Sequence, residues 1–182
     1  MDATRIRQFI MIRLPAAVIA MVVLVALLAV GALMPISYLD ARALVDQFDE
    51  LLPTLIATPA GIFFNNLFAS LLMMIPAVGI VLAGFIVYNT GVVIGAYSVV
   101  SNTPVVLALL IPFLTVYGFI EMLAYGFAVS QSYFLASSVI KKNFRTELKI
   151  VPYTLLAVVA LLFIGAVLEW VLIVFFSGML PA

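Results

Sequence analysis

LLPTLIATPAGIFFNNLFASLLMMIPAVGIVLAGFIVYNTGVVIGAYSVVSNTPVVLALLIPFLTVYGFIE, residues 51–121, decides the fold. Its first seventy residues, Leu51 to Ile120, hold no Asp, Glu, Lys or Arg, and the next is Glu121. A water-soluble domain with such a run has nothing charged along it to keep its surface in solution, so the run belongs in a bilayer. At about 1.5 Å per helical residue it is about 105 Å long against a hydrocarbon core of about 30 Å, enough for three crossings. Glu121 then lies at or near membrane depth, where ionisation is costly and a carboxyl group is by default a functional hypothesis.

Composition narrows the chemistry. Of 182 residues, 67% are hydrophobic and 9% charged, where soluble domains carry roughly a quarter charged. The formal net charge is zero and no long basic face exists, so no nucleic acid is expected as a partner. The chain has no cysteine and no histidine, which removes disulfides, thiolate nucleophiles, imidazole bases and imidazole metal sites. No cofactor, no metal and no enzymatic activity are expected: no span carries aspartate, and nothing is present to activate a serine.

Working outward, Arg5, Arg7 and Arg13 precede an apolar run from Leu14 to Met34. At about 21 residues this exceeds a signal-peptide core and reads as an uncleaved first span, with a cytoplasmic N-terminus by the positive-inside bias. Residues 35–58 are acidic on balance. Leu44, Val45, Phe48, Leu51 and Leu52 form one helical stripe there, predicting an amphipathic extracytoplasmic helix over about 40–52, either on the outer membrane surface or packed on the bundle. Thr58 and Pro59 form a helix start, and a second span follows over about 59–75. Pro76 to Gly79 break it, and a third span covers about 80–101; a rival turn at Asn89 to Gly91 leaves only eleven residues before Asn102, too few to cross.

Ser101 to Pro104 make the next turn. The apolar stretch 105–140 is about 54 Å as straight helix, so it must tilt, bend or project, with Pro112, Gly118 and Gly126 as candidate bend points. Lys141, Lys142, Arg145 and Lys149, opposed only by Glu147, predict a cytoplasmic loop, and a last span over about 152–176 leaves the C-terminus extracytoplasmic. The reading is one transmembrane domain over residues 1–182 in a multi-pass cell-membrane protein: an all-α, polytopic helix bundle of about five spans plus the short outer helix.

Polar residues inside the spans form a candidate cluster: Asn65, Asn66, Asn89, Tyr117, Glu121, Tyr125 and Glu169. The helical face of Glu121 carries Leu114, Tyr117, Gly118, Ala124, Tyr125 and Ala128, so Glu121 is expected to face protein. Gly165 and Ala166 precede Glu169 by one turn. Each residue also has a plainer reading: asparagines bonding a neighbouring helix, Glu169 sitting with Trp170 in the headgroup belt, and the basic residues serving as a topology signal alone. Gly91 and Gly95, in small-xxx-small spacing, and Gly118 are expected to pack helices, either within the chain or in a homo-oligomer.

The stretch Ile62 to Asn66, then Tyr88, Asn89, Thr90, Gly91 and Gly95, then Tyr117 to Glu121, and finally Leu168, Glu169 and Trp170 resembles the stage II sporulation protein M family of bacterial and archaeal membrane proteins. The resemblance runs from about Gly61 to the last helix. It implies a double Asn opening one helix, an Asn-Gly pair in the next, a His-Gly-x-x-Glu motif and a late Glu. Here Tyr117 stands in place of that histidine and Thr90 is inserted between Asn89 and Gly91, so no imidazole role carries over. The sporulation member is held to retain envelope-remodelling hydrolases at the membrane. Two functions are therefore expected as alternatives: a non-enzymatic scaffold or partner-binding subunit in the cell envelope, contacting membrane lipid and an envelope protein, or a small transporter or channel subunit using Glu121 and Glu169 as a proton or cation site.

Overall fold

The structure, a computed structural model, describes residues 3–177. Eight helices follow one another among them: α1 (Ala3–Ala32), α2 (Tyr38–Ile56), α3 (Pro59–Met73), α4 (Val78–Val100), α5 (Val105–Leu114), α6 (Tyr117–Ile140), α7 (Phe144–Leu148) and α8 (Val151–Ser177). No strand occurs among the described residues. Four segments, carried by α1, α4, α6 and α8, are long and apolar enough to cross a membrane unaided; α2 and α3, meeting at a bend of 117°, make a fifth if taken as one span. The sequence placed a full span over 59–75. The helix there has 15 residues, about 22 Å, and is short for the core on its own.

Local chemistry explains most boundaries. Ser37 caps α2, accepting the Asp40 N–H at 3.2 Å, and Thr58 caps α3, accepting the Gly61 N–H at 3.1 Å with Pro59 in the first turn. Two helices end on a left-handed residue: after α4 it is Asn102, with the Thr103 N–H returning to the Ser98 carbonyl at 3.0 Å, and after α6 it is Lys142, with the Asn143 N–H returning to Ser138 at 3.0 Å. The turn between α3 and α4 falls at Met74 to Ala77, two residues before the Pro76 to Gly79 break read from the sequence, and α4 runs unbroken past Asn89 to Gly91.

The stretch 105–140 corrects the sequence reading: it is two helices, broken at Thr115 and Val116. Pro112 has no N–H to give to the Ala108 carbonyl, and at the end of α5 the Thr115 hydroxyl donates back to the carbonyls of Ile111 (2.8 Å) and Pro112 (3.1 Å). Val116 then adopts φ 70°, a costly conformation for a β-branched residue. Pro112 and Gly118 bracket this break; Gly126 does not bend its helix.

Small residues set how the helices meet. α1 and α4 run parallel, because a Cβ at Gly91 would collide with the Leu28 carbonyl and one at Gly95 would lie 2.5 Å from the Ala32 carbonyl. These glycines are used within the chain, which removes them as a homo-oligomer contact. α1 and α6 run antiparallel, with Gly126 against the Ala17 carbonyl and with Ala124 and Ala128 fully buried. α8 returns antiparallel to α6, and α3 packs against both. The amphipathic helix α2 is longer than expected and packs on the bundle, burying Ala41 and Val45 against Ala96 of α4, while Leu51 stays exposed. Its Asp49 accepts a hydrogen bond from the Tyr97 hydroxyl of α4.

Candidate functional site

The first polar cluster lies where α3, α6 and α8 meet. The Asn66 side-chain amide of α3 donates to a Glu121 carboxyl oxygen of α6 at 2.6 Å. The Tyr125 hydroxyl, one turn along α6, donates to the Asn66 carbonyl oxygen at 3.0 Å. Glu169 of α8 lies beside the Glu121 carboxyl group, and Tyr117 stands close to both acids. Carboxylates only accept hydrogen bonds, so two such groups can bond each other only if one is protonated. The approach of α8 depends on Gly165, where an added Cβ would lie 3.3 Å from Cγ of Glu121.

Of the seven expected cluster residues, Asn66, Tyr117, Glu121, Tyr125 and Glu169 come together. Glu169 joins through Glu121 and not through an asparagine, and it is half-buried. Asn65 is peripheral: it is exposed, with its amide 3.4 Å from the Asn66 oxygen. Asn89 does not belong. It is exposed on α4 and donates to the Phe85 carbonyl of its own helix at 2.7 Å. Its position in the chain resembles that of Asn66, but its helix turns it away from the bundle. Leu114 is also off the face of Glu121, since it ends α5 and is 75% exposed. Gly118 packs against Pro112 of α5, with an added Cβ 2.8 Å from the proline Cβ, so its contact serves the helix break.

A second cluster went unread in the sequence. One guanidinium nitrogen of Arg13 in α1, Nη2, reaches both carboxylate oxygens of Glu147 in α7, at 2.6 and 2.7 Å, while its Nη1 is buried without a hydrogen-bond partner among the described residues. The Gln131 amide of α6 donates to the same carboxylate at 2.8 Å, and the Thr154 hydroxyl of α8 donates to the Gln131 carbonyl oxygen at 2.6 Å. The guanidinium also stacks 3.8 Å over the Phe134 ring. Arg13, Gln131 and Thr154 are all buried, so four helices are tied by groups hidden from solvent. Arg13 had been read as a topology signal and Glu147 as the stray acid of a basic loop. The signal available was Gln131, a long amide flanked by Ser130 and Ser132 in an otherwise apolar stretch.

The two clusters are separated along α6 by about 9 Å between Tyr125 and Gln131. Ala17, Met21, Phe127, Ala128, Val158 and Leu162 are buried in the same core. Among the described residues, no group of three His, Cys, Asp or Glu side chains converges to hold a metal ion. The first cluster brings two acids and an asparagine together between α3, α6 and α8, and the second holds α1 onto the loop that carries α7. No protein-family model, no curated protein and no solved structure matches the chain.

Proposed function

We propose that this chain is a non-enzymatic integral membrane protein, a scaffold or partner-binding subunit in the cell envelope, whose interior polar groups lock its helices. One observation carries the reading: Asn66, Glu121 and Tyr125 bond one another across α3 and α6 with Glu169 of α8 beside them, and Arg13, Glu147, Gln131 and Thr154 are linked across four helices, with the Arg13 Nη1 left unpartnered among the described residues. Buried polar groups linked in this way fix which helix faces meet. The buried apolar side chains packed between the clusters also support a structural role. The resemblance to the stage II sporulation protein M family supports such a scaffold in a prokaryotic cell membrane. The basic residues before the first span and before the last support a cytoplasmic N-terminus and an extracytoplasmic C-terminus.

A second reading has its own observation. Glu121 and Glu169 meet directly beside the break at Thr115 and Val116, and interrupted helices at membrane depth are where transporters place ion sites. Proton flux into liposomes separates the two. The scaffold reading expects no flux above that of empty vesicles; pH-driven flux that Glu121→Gln abolishes transfers the protein to the transporter reading. Orientation is tested with single cysteines, the chain having none of its own. A cysteine at Ser37 should react with an impermeant thiol reagent from outside and one at Asn143 only after lysis. Labelling of Asn143→Cys from outside overturns the orientation.

A further inference from the structure

We propose that the α4 face centred on Asn89 is where a second copy of this chain packs, the two Asn89 amides pairing across a two-fold axis. The inference rests on the exposure of that amide and is independent of how the carboxyl cluster is read.

Two sides of α4 have opposite fates. Gly91 and Gly95 are buried on α1. Asn89, two residues and about 200° from Gly91, lies on the far side of the helix. It shares a stripe with Val81 and Phe85, which are 73% and 67% exposed. Asn89 is eleven residues from each end of α4, about 16 Å either way, so it sits in mid-span where lipid tails offer neither donor nor acceptor. Thr90 beside it satisfies its hydroxyl on the Ile86 carbonyl at 3.0 Å. Asn89 satisfies only one N–H, on Phe85; among the described residues its second N–H and its carbonyl oxygen have no partner.

An amide with one donor and one acceptor unfilled, facing hydrocarbon, is strongly disfavoured unless another chain supplies the complements. A carboxamide is its own complement. A two-fold axis beside Asn89 lets each copy donate its free N–H to the other's oxygen, filling both groups at once, while Val81 and Phe85 add apolar contact and the symmetry closes the assembly at two. A different protein could fill the same groups only by bringing its own matching polar residue to that depth.

The test uses the full chain reconstituted in lipid vesicles, labelled at a single cysteine replacing Asn143. Association is read by energy transfer as the protein is diluted with lipid. The wild type should dimerise, Asn89→Gln should retain the dimer, and Asn89→Leu should associate about tenfold more weakly, the scale of one or two membrane hydrogen bonds, with its helical circular dichroism unchanged. Separately, a lone cysteine at Phe85 should form a disulfide between copies and one at Leu156, exposed on α8, should not. If Asn89→Leu loses its helical signal, the Gln variant and the Phe85 cross-link decide. A wild type that stays monomeric at every lipid ratio, or dimers unaffected by Asn89→Leu, overturns the proposal. So does a photo-crosslinker at position 85 that captures a different protein in native membranes and no second copy.

Discussion

The two interior clusters solve the same problem by different chemistry. At Arg13 and Glu147 a cation meets an anion, so both can stay charged while buried, and Gln131 and Thr154 extend the network to two more helices. At Glu121 and Glu169 two acids face each other with no cation among their described partners, and the Glu121 carboxyl group accepts from the Asn66 amide. The first arrangement is a charge-compensated lock. The second leaves two like acids side by side, which is why it carries the functional question.

The largest effect should come from splitting the ion pair. Arg13→Met leaves Glu147 buried without its cation, and a loss of about 3–5 kcal/mol is expected in detergent unfolding titrations. Adding Glu147→Gln to that variant should restore most of the loss, because no unpaired charge remains. A single variant as stable as wild type would remove this cluster as a lock.

A smaller loss is expected at the acid pair. Glu121→Ala leaves the Asn66 amide without an acceptor and should cost about 1–3 kcal/mol by the same titration. Glu121→Gln, which still accepts from Asn66 and can donate to Glu169, should fold almost as well as wild type. Equal damage from Gln and Ala would mean that the carboxyl chemistry itself, and not the hydrogen bonding, holds α6 to α8. Gly126→Ala sits between the clusters and pushes the α1 backbone off α6; a loss toward the upper end of about 1–3 kcal/mol is expected, since the added Cβ meets the Ala17 backbone carbonyl and not a flexible side chain. At the bottom of the scale is Arg42→Ala. Its partner Asp46 is four residues on, and both side chains are more than half exposed, so the melting temperature should not move.

What was legible in the sequence follows from patterns along one helix. The bilayer class, the cap at Thr58, the turn at 101–104, the break at 76–79 to within two residues, and the inward face of Glu121 all depend on residues within a turn or two of each other. The break at Val116 was less so: Pro112 and Gly118 marked the neighbourhood, but closure by the Thr115 hydroxyl depends on backbone geometry that spacing does not show. Asn66 and Asn89 make the limit plain. Both are mid-helix asparagines in apolar runs, and only the rotation of each helix decided that one meets Glu121 and the other faces outward.

By itself, then, the sequence determined that this protein is a bundle of apolar helices, because a charge-free run of seventy residues has no other stable environment and must satisfy its backbone internally. Tertiary structure alone decided which polar groups pair. Arg13 and Glu147 are 134 positions apart and each looked like a surface charge; contact between α1, α6, α7 and α8 buried them together, and a buried charge is stable only where its counter-charge is brought to it.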